Sequence, residues 1–356
     1  MKVLLKKIIP NSIKKKIPEF KQRIDSKLCI KSSKSRFLSS LYYFLFSDKF
    51  GREHQAVLTG RVKYNNSLTV PDISSALLRR NTHRLEKGII MQPRRDVFAE
   101  GYISETVDHY LVCLEANTTD ECEMAWAKDV LTEYFTIVDI EKSEVIAQSY
   151  SKFNNIVNTV PSVSSLSIPY RRSEICLSGI RYEEFKDLCI QRRSVRWFKE
   201  QSVEKEKIEA AIEIASLAPS ACNRQPFDFF VTTNQDVARE VGSIPMGTVG
   251  FSGNLQALIV VVGNLSAYPF EQDRHVIYID ASLASMQLML ALETMGLSSC
   301  PINWPDIELF ERKMASRIGL SIDQRPVLLI AVGYASDEGL IPYSQKKSSS
   351  VLMKEF

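Results

Sequence analysis

Apolar residues recur at helical spacing through most of this chain, and at strand spacing only in short runs beyond residue 226. Between 102 and 116, Ile103, Val107, Tyr110, Leu111 and Leu114 share one face; between 119 and 138, Ala127, Val130, Leu131, Tyr134, Phe135 and Val138 do the same. Two amphipathic helices packed by these stripes are predicted. A third helical run, 77–88, is dense in charge and sets His83 three residues before Glu86, on one helical face. The pair reads as a polar site or, the favoured reading, as part of a salt-bridged surface helix. Farther on, Ser202 is the predicted N-cap of a helix that turns Ile208, Ala211, Ile212, Ala215 and Leu217 inward and stops at Pro219. Short β-branched and aromatic runs predict strands over 227–233, 257–263 and 327–333. The stretch 278–295 is apolar nearly all round, so a buried helix is predicted, with a subunit interface one place to bury it. A further helix is expected over 306–318, opened by Pro305. Residues 151–178, rich in Ser, Asn and Pro, lack sustained period and predict a linker or wrapping loop.

At 356 residues the chain exceeds the usual size of one hydrophobic core. The pattern divides it into a basic arm (1–36), a mainly helical domain (37–160), a linker (161–180) and a second domain (181–356). The net charge of +3 hides an asymmetry: residues 1–36 carry twelve Lys or Arg against Glu19 and Asp25. A basic arm on a mildly acidic body follows. Lys clusters alternating with apolar pairs suit an anionic membrane face, and equally a solvated basic tail; Pro10 and Pro18 are expected to interrupt any long helix. The apolar stretch 37–46 is too short to span a bilayer. With no aromatic stacking platform beside the charge, nucleic acid is not an expected partner. Seven scattered cysteines without a Cys-x-x-Cys pair fit a reduced, cytoplasmic protein, and a secretory leader pattern is absent. The four histidines form no zinc-type spacing, so no metal is expected. Gly247, Gly250 and Gly253 read as turns, and no nucleophile elbow is present.

The chemistry concentrates in two segments, Arg192-Arg193-Ser194-Val195-Arg196 and Ala218-Pro219-Ser220-Ala221-Cys222-Asn223-Arg224-Gln225-Pro226-Phe227. Guanidinium groups fork onto phosphate oxygens, or sit beside a ring that becomes anionic on reduction. In the second segment Pro219 and Pro226 stiffen the backbone, Ser220 and Ala221 allow close approach, and the Asn223 and Gln225 amides donate and accept. Together they suit a flat, phosphorylated, redox-active cofactor.

These segments, the apolar run 278–297, the stretch Ser298-Ser299-Cys300-Pro301-Ile302-Asn303-Trp304, and Val332-Gly333-Tyr334 with Pro342 and Lys346-Lys347 resemble the nitroreductase family over residues 181–348. The resemblance implies an α+β fold, a central mixed or antiparallel sheet flanked by helices, beside the helical N-terminal domain. It implies FMN held at a homodimer interface and reduced by NAD(P)H. Arg192, Arg193 and Ser194 would face the phosphate and ribityl chain, and Arg196 the N1 and O2 edge of the ring. Pro219, Ser220, Ala221 and Asn223 would come from the partner subunit, with Gln225 supporting their loop. Pro301, Ile302, Asn303 and Trp304 would lie against the ring near N5, and Lys346 and Lys347 would close on the phosphate. Phe227 stands where the family often has Trp, and the loop before Ala257 lacks an obvious second Lys. No catalytic side chain is implied: hydride passes through the flavin to a small acceptor such as a quinone, nitro or enone compound. The long N-terminal addition resembles nitroreductase-like proteins associated with bacterial surface-polysaccharide synthesis, which admits a non-catalytic, membrane-associated adaptor as the alternative. A further alternative spends the flavin itself as the substrate of a fragmentation.

Overall fold

The computed structural model describes residues 11–157 and 166–356, so the start of the basic arm and the first part of the 161–180 linker lie outside the described residues. Two compact units result, residues 1–55 and 56–356.

The first unit is a pair of helices, α1 (Asn11–Ser32) and α2 (Arg36–Phe46). Ser35 caps α2 by accepting from the Leu38 N–H at 3.1 Å. Contrary to expectation, Pro18 does not interrupt α1. It removes one N–H from the ladder, and the turns on either side keep theirs.

The second unit opens within helix α3 (Gly51–Ser67), which leads to α4 (Ala76–Ile89), α5 (Ile103–Ala116), α6 (Glu121–Ile137) and α7 (Glu144–Val157). The predicted stripes on α5 and α6 meet in one core of Ile103, Val107, Tyr110, Val130, Leu131 and Tyr134, with Leu78 and Leu85 of α4. Asp120 caps α6 through the N–H groups of Cys122 and Glu123. Residues 151–157 belong to α7 instead of the predicted loop. Their apolar content is low, but Phe153 docks on Tyr110 and Phe135, and tertiary packing carries the helix through.

After α8 (Tyr182–Gln191) and α9 (Lys205–Ser216), four strands form a wholly antiparallel sheet in the order β1 (Phe227–Thr232), β2 (Ala257–Asn264), β4 (Gln324–Gly333), β3 (Ser298–Asn303). The strand β2 is buried almost throughout, as its unbroken apolar run requires. One sheet face packs on α9 and α11 (Val276–Thr294), the other on α10 (Gln235–Gly242) and α12 (Glu308–Ile318). Helix α9 starts at Lys205 behind Glu204, so Ser202 is not its cap, and Leu217 lies past its end with 72% of its surface exposed. Gly60 of α3 is where the helical layer meets the sheet layer: a Cβ there would stand 2.7 Å from the Leu265 carbonyl carbon. Only glycine permits that approach.

Candidate functional site

The cationic segment leaves α8 at Arg192 and runs extended beside β3, with the Val195 N–H bonded to the Ser299 carbonyl at 3.1 Å. Val195 turns into the core, which sends its neighbours Ser194 and Arg196 the other way, and Phe198 ends the segment in the same core. Asn254 fixes the segment's far end by accepting from the Phe198 N–H and donating to its carbonyl. Arg192, Arg193, Ser194, Arg196 and Lys346 line one cavity of about 100 Å³, with Cys189, Pro342 and Ser344. Its lining holds four cations and no carboxylate. Arg193 anchors the C-terminal segment by donating to the carbonyls of Pro342 and Tyr343. Lys347 does not line this cavity.

Two buried donors here have no partner, Arg192 Nε and the Ser299 hydroxyl, and one buried acceptor, Glu293 Oε1, has none either. Such orphans are rare in folded proteins, and the two donors suit an anionic group with several oxygens. Beneath them the Glu293 carboxyl is pushed above its ordinary range by burial, an effect opposed by Gln191, Ser298 and Arg192. Burial likewise raises the Cys300 thiol, against the pull of Arg196 and Arg192. Arg196 stacks 5.8 Å from the Phe251 ring, and its nearest bond is a long 3.5 Å contact to the Ser194 carbonyl, so its charge is not spent on a carboxylate.

The second segment is a strained loop. Cys222, Asn223 and Gln225 have φ of 53°, 50° and 48°, the left-handed region that non-glycine residues enter at a cost. Three groups hold it there. Asp280, a buried carboxylate near the start of α11, accepts from the Ser220 hydroxyl at 2.7 Å and the Ala221 N–H at 3.0 Å. Ser220 in turn accepts from the Gln225 N–H, and the Gln225 amide donates to the Ser216 carbonyl. From α4, Arg79 donates to the Asn223 carbonyl at 2.8 Å, to Gln225 Oε1 at 2.9 Å and to Glu123 at 3.0 Å. Pro219 is exposed at the loop's edge.

The α4 helix is therefore no surface helix. Its charged run makes contacts inside the fold, because the fork of Arg79 can satisfy a loop carbonyl, an amide and a buried carboxylate at once. On the same face His83 Nδ1 lies 3.0 Å from Glu86, whose other oxygen accepts from the Trp126 indole, and Arg79 stacks 5.5 Å from that indole.

The third segment supplies mostly backbone. Ile302 and Trp304 point into the core, and the Trp304 indole donates to Glu311 at 2.9 Å. Glu311 also accepts from Arg325, which reaches Asp306 at 2.6 Å. The Trp304 side chain is thus committed to packing, and of the predicted quartet Asn303 alone is exposed and Pro301 half-buried.

Within one chain, then, the structure gathers Arg192, Arg193, Ser194, Arg196 and Lys346 in one place, and Ser220, Ala221, Asn223 and Gln225 in another. Among the described cavities none is lined by both groups. A larger cavity of about 730 Å³ borders the loop at Arg224 and Gln225, but its charge is mixed and its Lys63 pairs with Asp323 at 2.7 Å. Sequence reasoning missed Arg79, Glu123 and Asp280. Asp280 carried a signal, as a carboxylate inside an apolar helix; Arg79 was one charge among several, and Glu123 one acid in an acidic first turn.

Comparison with known proteins adds the lineage. Residues 190–250 and 246–334 match the family model described as the nitroreductase family. The chain is 30% identical over 162 residues to a protein of Archaeoglobus fulgidus provisionally named NADH dehydrogenase/NAD(P)H nitroreductase, covering 44% of this chain and 88% of that one. It is 27% identical over 201 residues to the Bacillus subtilis protein provisionally named NAD(P)H nitroreductase YdgI (46% and 94% covered). Iodotyrosine deiodinase 1 of Homo sapiens is 24% identical over 204 residues (49% and 68% covered). With that likeness and this site, the chain belongs to the nitroreductase family of oxidoreductases.

Proposed function

We propose that this protein is an FMN-dependent oxidoreductase that takes hydride from NADH or NADPH and delivers it to a small oxidised organic acceptor. One observation carries the reading: four cations converge on a small cavity that contains no carboxylate, beside two orphaned buried donors. Like charges drawn together, three of them half-buried, with no carboxylate among them repel one another unless an anionic ligand completes the site. Arg192, Arg193 and Lys346 suit the phosphate, and Ser194 the chain that follows it. Bound FMN would supply a two-electron carrier between nicotinamide and acceptor. Arg196 then holds a fixed positive charge where negative charge develops, in a setting that needs no reorganisation. Asn223 offers its side-chain amide to the ring edge from a loop kept rigid by Arg79 and by the bonds of Ser220 and Ala221 to Asp280. The relatives' names span nitroreductases and a deiodinase, so the acceptor is assigned by class: a quinone, nitro, enone or halogenated aromatic compound.

The separation of the two residue groups within one chain supports a site shared between two copies. The helix α11 favours this, because its outer face exposes Ile279, Leu283 and Met286, spaced at helical period, while its inner face is buried.

The test is optical. Protein purified with FMN should be yellow, lose that absorption when NADH or NADPH is added without oxygen, and regain it on adding a quinone or nitroarene. Protein that takes up no FMN would overturn the proposal and leave the adaptor reading standing.

A further inference from the structure

The first unit presents a surface that the flavin reading does not use. In α2 no residue is buried, although eight of its eleven residues, from Phe37 to Phe46, are aromatic or leucine. At 100° per residue, Phe37, Leu41, Phe44 and Leu45 fall on one arc. The opposite side is already engaged with α1: the Ser39 hydroxyl donates to the Ser32 carbonyl at 2.8 Å and the Tyr42 hydroxyl to Asp25. The outward arc is apolar and open, with Phe37 75% and Phe44 84% exposed.

Charge identifies what covers it. Residues 11–36 carry nine Lys or Arg against Glu19 and Asp25, and from Ser26 to Ser47 there is no carboxylate at all. Lys31, Lys34 and Arg36 stand at the turn, beside the end of the arc where Phe37 lies. A helix of eleven residues cannot span a bilayer, but an apolar arc flanked by cations can lie in the plane of a membrane surface, rings among the acyl chains and ammonium groups at the headgroups. We propose that the α1–α2 hairpin docks this protein on an anionic lipid surface, α2 entering the interface by Phe37, Leu41, Phe44 and Leu45. The cations supply attraction only toward a negatively charged leaflet, and the rings supply the hold that survives screening. This surface is independent of FMN binding.

The test is co-sedimentation of the full chain with vesicles of phosphatidylcholine alone and of phosphatidylcholine mixed with phosphatidylglycerol. Binding is expected only to the mixed vesicles, weakening as salt rises. Replacing Lys31, Lys34 and Arg36 by Gln should lower partitioning about a hundredfold, at about fivefold per cation. The Phe37→Ser, Phe44→Ser double variant should lower it at least about tenfold. Because both rings are exposed, its circular dichroism and elution volume should match the parent. No binding to mixed vesicles would overturn the proposal, as would undiminished binding by the double variant. A shift of the double variant to a smaller oligomer would also overturn it, by showing that a second copy covers the arc.

Discussion

Replacing Arg79 by Met isolates what the helical layer contributes to the loop. The side chain is 16% exposed and makes three charge-assisted bonds, of 2.8, 2.9 and 3.0 Å. Met keeps the stem's packing near Trp126 and removes the fork. Two consequences separate. First, the Glu123 carboxylate, 2% exposed, is left with the Ser74 hydroxyl and Ser75 N–H but no cation, and breaking such a buried pair costs about 3–5 kcal/mol. Second, the Asn223 carbonyl and Gln225 amide lose partners worth about 1.5–3 kcal/mol each in a charged bond. Three left-handed residues in that loop store about 1 kcal/mol or more apiece, so it relaxes once Arg79 no longer restrains it. The double variant Arg79→Met, Glu123→Met removes both ends of the pair, so its unfolding free energy should recover to within about 1–2 kcal/mol of the parent. FMN affinity should not recover: both variants should bind about tenfold or more weakly, since the loop restraint is missing in each. Urea unfolding and fluorescence titration of the apoprotein with FMN read the two effects. A single variant that matches the parent in both would refute the assignment of Arg79 as the loop's restraint.

Three further outcomes follow from single sites. Because burial raises the Glu293 carboxyl in the folded state, the folded protein holds that proton more tightly than the unfolded chain, so this group's contribution is fully present at low pH and is lost as pH rises through the folded value. Glu293→Gln should therefore flatten the fall in stability between pH 4 and neutrality, read as melting temperature against pH; an unchanged slope would contradict the shift. Glu311→Ala strips the buried Arg325 and the Trp304 indole of their common acceptor and should cost about 3–5 kcal/mol in urea unfolding, with loss of the native tryptophan fluorescence. Gly60→Ala forces a methyl against the Leu265 backbone and should cost about 1–3 kcal/mol, whereas Gly253→Ala, with open space around it, should be close to neutral.

What the sequence announces here is what depends on near neighbours. The runs that became β2 and β4 were legible because a buried strand needs consecutive apolar residues, β1 through its β-branched and aromatic residues, and the stripes of α5 and α6 because each helix has one wet face. The cationic segment and the loop were legible through residue chemistry, and Arg192, Arg193, Ser194 and Arg196 do line one cavity with Lys346. Arg79 was not, because its loop partners lie 144 and 146 residues away, and local periodicity carries no trace of such a contact. The setting of the Trp304 side chain was not legible for a similar reason: Glu311 and Arg325, close only in the folded chain, draw its indole inward. At Ser202 the expected cap failed because the chain stays extended until Glu204.

A site shared between two copies has one direct test: differently tagged Arg196→Ala and Asn223→Ala chains, co-expressed and purified as the mixed dimer. If each flavin needs Arg196 from one chain and Asn223 from the other, the mixed dimer rebuilds one intact site and should hold one FMN per two chains, while each variant homodimer holds little. A mixed dimer that binds no more FMN than the two homodimers would place both segments in the same chain's site and contradict the account.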